Sequence, residues 1–368
     1  MPGDRRMRRA IGAISGTSMD AIDVALVETD GLAALRPLGG GAFPYPAALK
    51  TALIALVADP ARAEHDPLAE IEAAVTDAFA DAIRAFLAGA GIAPDDVDLV
   101  GLHGQTILHR PERRFTRQLG DGARLAAALG IDTVDRFRHA DVAAGGQGAP
   151  LVPLYHAALA AGLDKPLMVL NLGGVANVTY LGAEGTILAF DTGPASALID
   201  DAMRRHFGRA YDSGGAVAAS GRIDGQRLAM LMADPFFAVP PPKSLDRNHF
   251  HARAAALAPL SPADQVATLA AFTIESVRAA LDHVPAPPAR WLVAGGGRHN
   301  ATLMHGLATA LGVPVEPVER VGWNGDLLEA ECFGYLAMRA ARGLPLSLPG
   351  TTGVPAPMPG GRLHRARR

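Results

Sequence analysis

At 368 residues the chain is too long for one small core and is expected to form two domains. Its 49% hydrophobic and 19% charged residues are an ordinary globular balance, and 34 Lys plus Arg against 37 Asp plus Glu leave a formal charge of -3. That balance selects no nucleic-acid or membrane partner, no apolar run reaches the ~18 residues of a membrane span, and the single cysteine, Cys332, excludes an internal disulfide.

The first apolar run, over 10–15, follows a short basic stretch. Ser15, Gly16, Thr17, Ser18 and Asp20 interrupt it too soon for a secretion signal, so the expected location is the cytoplasm. After the turn-rich GTSMD loop, Ile22, Val24 and Leu26 alternate with Asp23 and Ala25 at the period of a strand. A third extended stretch is expected near 35–43. Ile71, Val75, Phe79, Ile83, Phe86 and Leu87 recur at spacings of three and four, which predicts a helix over about 68–87, ended by Gly89 and Gly91. Another strand is expected over 97–102. The order then recurs: a buried strand MVLNL, a GGVAN turn, the strand VTYL and a third strand over 186–190. Helices follow over about 195–207 and 266–283, then the strand WLVA, a GGG turn and a helix over about 300–311.

The last helix is expected over about 327–342, with Cys332 as a small buried hydrophobe inside it. LPLSLPGTTGVPAPMPGG is too rich in Pro and Gly for regular helix or sheet. It reads as an ordered surface strap, with a frayed, Arg-rich tail from about Arg362. Three strands, then helices alternating with strands, twice over, predict an α/β chain of two ribonuclease-H-like lobes around a central cleft. The expected lobes are 1–140 plus about 343–368, and 141–342. The Gly-rich segment AAGGQGAPLVPLYH, over 143–156, reads as the hinge.

Several loops could carry chemistry, and each has a plain alternative. GTSMD offers backbone N–H groups to phosphate oxygens and the hard donors Asp20 and Asp23 to a magnesium ion, yet it is equally a hairpin turn. Gly173 and Gly174 form the matching turn of the second half. Asp191 in FDTGP could be a general base or an ordinary helix N-cap. Gly295, Gly296 and Gly297 leave a surface on which a purine could rest, or serve close packing. His103, Gln105 and Thr106 in HGQT suit sugar hydroxyls, although a lone His is commonly structural. The chain lacks the G-x-x-x-x-G-K-[ST], G-x-G-x-x-G and G-x-S-x-G patterns of P-loop, nicotinamide and hydrolase sites.

In order along the chain, GTSMDAID, GLHGQTILHRP, AAGGQGAPLVP, NLGGVANVTYL, FDTGP, VAGGGRHN and EAECFGYLA resemble the anhydro-N-acetylmuramic acid kinases over about 11–353. The resemblance implies an actin/hexokinase-type fold with ATP in its cleft, ATP and Mg²⁺ as cofactors, an amino-sugar substrate and a cytoplasmic homodimer. It implies hydrolytic opening of the 1,6-anhydro ring with phosphorylation of O6, in peptidoglycan recycling. It makes Gly16, Thr17, Ser18, Met19, Asp20, Ala21, Ile22 and Asp23 the first phosphate loop, with Asp20 organising magnesium. Gly173 and Gly174 become the second phosphate loop, Gly295 to Gly297 the adenosine loop and Asp191 the base that deprotonates water. His103, Gln105, Arg138 and Glu329 become sugar contacts. The chain departs from the family pattern at Ala21, Arg136, Ala195 and Ser196. The alternatives are a kinase of the same fold for another sugar or carboxylate, and a non-catalytic ATP-binding switch, against which Asp191 argues.

Overall fold

The computed structural model describes residues 6–16 and 19–366. Two compact units share the chain: Met1–Gly162 with Leu327–Arg368, and Leu163–Asp326.

The first unit opens with the antiparallel strands β1 (Arg8–Ser15), β2 (Ile22–Thr29) and β3 (Leu35–Phe43). β4 (Leu99–Arg110) and β6 (Thr133–Asp135) then add in parallel on the other side of β1, while β5 (Phe115–Leu119) pairs antiparallel with the outer half of β4. β1 is central because its Ala10 to Ser15 run is buried throughout, as a strand covered on both faces must be. The Ala69–Ala90 helix lays Val75, Phe79, Ile83 and Leu87 into this core and ends at Gly91, whose φ of +65° suits glycine. Each such fully buried side chain contributes about 1.5–3 kcal/mol.

The second unit repeats the plan. β7 (Leu167–Leu172), β8 (Val175–Leu181) and β9 (Ile187–Pro194) are antiparallel, and β10 (Trp291–Ala294) and β11 (Val315–Pro317) extend the sheet in parallel from β7. Trp291, Tyr180, Phe190 and Met168 pack its core. Both sheets therefore run third strand, second, first, fourth, and then a further parallel strand. This is the ribonuclease-H-like order expected twice over.

Five expectations need correction. First, the unit boundaries lie at 162/163 and 326/327, not near 140 and 343. The Leu328–Ala341 helix packs on β1, β2 and β4, and its Gly334 meets Gly12 while Phe333 meets Gly101, so it belongs to the first unit. Second, the strand expected to stop at Leu102 runs on to Arg110. A register shift against β1 between Ala13 and Ile14, with Gly104 at φ +76°, carries it past the irregularity. Third, Asp191 lies inside β9 and caps no helix; the N-cap of the Ser196–Phe207 helix is Ala195. Fourth, the Gly-rich 143–156 segment is pinned within the first unit. Asp141 accepts from Gly148 N–H at 2.6 Å and from the Thr352 hydroxyl at 2.6 Å, and Gln147 N–H donates to the Thr352 carbonyl at 2.7 Å. Fifth, the C-terminal strap contains short strands: β12 (Pro345–Ser347) pairs with β13 (Met358–Pro359), and β14 (Arg362–His364) adds antiparallel to β6. Arg362 and His364 both contact the buried Asp135 carboxylate, which fixes the segment expected to fray.

Candidate functional site

In the first unit, Thr17 and Ser18 lie outside the described residues. Gly16 offers its carbonyl oxygen to Met19 N–H at 3.1 Å and to the Gln105 amide at 3.2 Å. Met19 takes a left-handed φ of +55° with its side chain buried, and Ile22 is also core, so these two join the loop through backbone alone. Ala21 has no positive φ, which explains why a residue other than glycine is tolerated there. Asp20 is exposed and pairs with Lys50 at 3.0 Å. Among the described residues no cluster of three His, Cys, Asp or Glu collects as a metal site. One exposed carboxylate is nonetheless enough for a magnesium ion carried by a nucleotide, which keeps several waters.

The four sugar candidates separate. Gln105 is fully buried, and its amide is engaged by Gly16, Thr106 and the Tyr45 hydroxyl, so it positions the loop. His103 is buried and neutral: burial, then the charge of Arg138, holds its pKa well below the usual imidazole value. Its Nδ1 faces the Gly104 carbonyl at 3.0 Å and its Nε2 accepts from Arg138 Nε at 3.0 Å, which assigns the proton to Nδ1. Arg138 also donates to the Gly148 carbonyl at 2.7 Å. Glu329 sits exposed on the first turn of the Leu328–Ala341 helix. Surrounding protein raises its pKa and Arg138 opposes the shift. Arg138, His103 and Glu329 thus form one polar group on this unit. Arg136, at φ +58°, lines a cavity of about 290 Å³ with Asp135, His139 and His103 itself.

In the second unit the Gly173–Gly174 turn joins β7 to β8. Its carbonyls accept from the N–H groups of Ala195, Ser196 and Ala197, and the Ser196 hydroxyl donates to Gly173 O at 2.9 Å. The departures Ala195 and Ser196 therefore bind the helix start to the turn. The N–H groups of the two glycines find no acceptor among the described residues, and a Cβ on either would meet only ordinary contacts at 3.5 Å and beyond. Their bareness is not demanded by packing.

Asp191 is half-buried in β9, beside the irregularity in its pairing with β8. Its Oδ2 accepts from Leu245 N–H at 2.7 Å, its own N–H donates to the Lys243 carbonyl at 2.9 Å, and its Oδ1 has no hydrogen-bond partner among the described residues. Burial pushes its pKa up to about 7, against the smaller opposing pull of the Leu245 amide. A carboxyl near 7 with one oxygen fixed and the other free is poised for proton transfer.

The three glycines after β10 have different jobs. A Cβ on Gly295 would sit 2.4 Å from Asn171 Oδ1, and one on Gly297 would sit 2.5 Å from Leu172 Cβ, so both serve close packing. Gly296 faces open space. Gly296 and Gly297 form one wall of a cavity of about 490 Å³ that also includes Asp200, Tyr211, His299 and Asn300.

Two parts of this site escaped sequence reasoning. One is the Lys243–Leu245 loop. Lys243 is buried with its Nζ on the carbonyls of Phe236 and Phe237 at 3.0 and 3.2 Å, and burial lowers its pKa to about 8. It anchors the loop that serves Asp191, and the run PPPKSL signalled only a proline turn. The other is the Asp200 and Tyr211 side of the cavity. Asp200 lies one helical turn beyond Ser196, a spacing that was visible but had no partner motif.

Comparison with known proteins identifies the family. The anhydro-N-acetylmuramic acid kinase family profile matches residues 8–364. An anhydro-N-acetylmuramic acid kinase of Rhizorhabdus wittichii is 52% identical over 362 residues, covering 97% of this chain and 98% of that protein. One of Acidiphilium cryptum is 54% identical over 359 residues, with 97% and 98% covered, and one of Rhodospirillum rubrum is 51% identical over 356 residues, with 96% and 93% covered. With the profile spanning both units and about half of all positions shared, this chain belongs to the anhydro-N-acetylmuramic acid kinase family.

Proposed function

We infer that the chain is an ATP-dependent kinase of 1,6-anhydro-N-acetylmuramic acid, acting in cell-wall peptidoglycan recycling. It opens the anhydro ring with water and phosphorylates the freed O6, giving N-acetylmuramic acid 6-phosphate. The observation that carries this reading is Asp191, with an Oδ1 unpartnered among the described residues, an Oδ2 held by Leu245 N–H and a pKa near 7.

Asp191 takes a proton from water as the water oxygen bonds to C1 of the sugar. The C1–O6 bond breaks and leaves its electron pair on O6. O6 bonds to the γ-phosphorus, and the bond from that phosphorus to the bridging oxygen breaks, releasing ADP. The proton on Asp191 passes to solvent. One carboxylate suffices because the leaving oxygen is itself the phosphoryl acceptor, unlike glycoside hydrolysis with its two carboxyls.

Phosphoryl transfer is mainly positioning and charge stabilisation. We assign phosphate oxygens to the N–H groups of Gly173 and Gly174 and to the loop at Gly16 to Asp23, and adenosine to the cavity beside Gly296. Mg²⁺, which neutralises phosphate charge when bound, would be held by the nucleotide with Asp20. Arg138, Glu329 and His103 are assigned to the sugar, with Gln105 moved to loop positioning. A homodimeric state and a cytoplasmic location rest on the family resemblance; light scattering on the purified chain tests the first. Among the described residues no helix is long and apolar enough to cross a membrane.

The test is ADP release from Mg-ATP with and without 1,6-anhydro-N-acetylmuramic acid, with the product weighed. Sugar-dependent release and a product heavier by one phosphoryl group and one water are expected. ATP binding without sugar-dependent turnover would overturn the substrate assignment.

A further inference from the structure

The second unit holds a carboxylate that the reaction above does not use. Asp200 is half-buried on the Ser196–Phe207 helix and lines the cavity of about 490 Å³. Of the other polar groups of that cavity, which include Tyr211, Ser213 and His299, Asp212 and Asn300 are committed within the protein. Both oxygens of Asp212 accept backbone N–H groups, from Val217 at 2.9 Å and Ala218 at 3.0 Å. Asn300 Oδ1 caps the following helix through Leu303 N–H at 3.0 Å. Asp200 has no ion pair among the described residues; Arg204 and Arg247 act on it only at longer range. The Ser196 hydroxyl, 2.9 Å from Gly173 O, also hydrogen-bonds the Asp200 carboxylate and opposes the rise of its pKa. Asp200 therefore lines the cavity with one neutral contact, from Ser196, and no cationic partner among the described residues, which leaves the carboxylate acceptor capacity for a ligand.

That chemistry selects its ligand. A phosphate would be repelled by the carboxylate, so the group beside it must be neutral and must donate hydrogen bonds. Two vicinal hydroxyls, one to each carboxylate oxygen, satisfy it. The rest of the cavity suits a flat ring: Gly296 has nothing within 4 Å of an added Cβ, and Tyr211 is 62% exposed. Ser196, which touches the Gly173–Gly174 turn, and Asp200 are four residues apart on one helix. They share a face with a rise of about 6 Å between them, comparable to the reach from a ribose diol to its phosphates.

We propose that Asp200 reads the ribose 2′,3′-diol of the nucleotide and makes this kinase select ribonucleotides over deoxyribonucleotides. The proposal rests on the placement of adenosine beside Gly296 given above. Burial raises the Asp200 pKa to about 6, which still leaves it mostly ionised and a strong acceptor at neutral pH.

The experiment measures binding of ATP, 2′-deoxy-ATP and 3′-deoxy-ATP to the wild-type chain and to Asp200→Ala, with melting temperatures as a check on folding. Wild type is expected to bind ATP about tenfold or more tighter than either deoxy form, the effect of a hydrogen bond to a charged group. In Asp200→Ala the three affinities should converge on the deoxy level. Equal wild-type affinities for all three would overturn the proposal without needing the variant. A variant that weakens all three by the same factor would also overturn it, since a merely structural residue behaves that way. If wild type binds none of them, the adenosine placement fails and this proposal fails with it, an outcome distinct from equal binding.

Discussion

Gly12 and Gly101 in the first unit and Gly173, Gly174 and Gly296 in the second mean opposite things. In the first unit a Cβ on Gly12 would sit 1.8 Å from the Ala330 carbonyl oxygen, and one on Gly101 would sit 2.1 Å from that of Phe333. These glycines let the Leu328–Ala341 helix lie directly on β1 and β4. In the second unit Gly173, Gly174 and Gly296 have room for a Cβ and no left-handed backbone. A missing side chain that faces protein serves packing, whereas one that faces open space leaves backbone available to a ligand. The same residue type is scaffold at Gly12 and Gly101, as at Gly295 and Gly297 of the second unit, and candidate binding surface at Gly173, Gly174 and Gly296.

The sharpest test lies in the second unit at Asp191, the group proposed as the base. Asp191→Asn is expected to lower sugar-dependent ADP release by about 10²- to 10⁴-fold, the usual weight of a general base. Full turnover in that protein would refute the assignment. In the wild type, kcat/KM should rise with pH and level off above an inflection near 7, because only the ionised carboxylate accepts a proton. The stability sign is the reverse. A folded pKa of about 7, raised from 3.8, means the native state holds a proton that the unfolded state has lost between those values. Stability contributed at low pH is therefore lost as pH rises through 7, by at most about 4 kcal/mol. Asp191→Asn should accordingly melt higher than wild type at pH 8, read by calorimetry.

Next in size is Gly12→Ala. A Cβ 1.8 Å from backbone must displace the helix, at about 3 kcal/mol or more. An unchanged denaturant midpoint would show that the helix does not lie on β1 as described. Gly174→Ala should do the opposite: stability within about 0.5 kcal/mol of wild type, but a KM for ATP raised roughly tenfold, about 1.4 kcal/mol. A normal KM would remove the turn from the phosphate site. The smallest effect is expected at Lys50→Ala. It breaks an exposed pair with Asp20 and should shift stability by under about 1 kcal/mol. A larger loss would mean the loop depends on that pair for its fold.

Much of the scaffold was readable along the chain. The 35–43 strand and the strands starting at Ile22 and Leu167 sit where local alternation or apolar runs put them. Asp191 stood out because a carboxyl among FDTGP invites a role, although its position inside β9 did not show. The strap was misjudged for a physical reason: β14 is held by Arg362 and His364 on Asp135, residues distant in sequence that composition rules do not weigh. HGQT looked like one recognition loop, yet it is a strand whose members face different partners.

The sequence by itself determined the order of strands, helices and turns, because periodicity and glycine placement act between near neighbours. Only the tertiary structure decided which polar groups are free to meet a ligand. Gln105 is taken by Gly16, 89 residues away, and Asp191 is aimed by Leu245, 54 residues away. Asp200 lines its cavity with no ion pair among the described residues, whereas Asp212 and Asn300 on the same cavity are occupied with local caps. Whether a donor or acceptor is satisfied depends on which residues folding brings within about 3 Å, and no spacing along a chain encodes that distance directly.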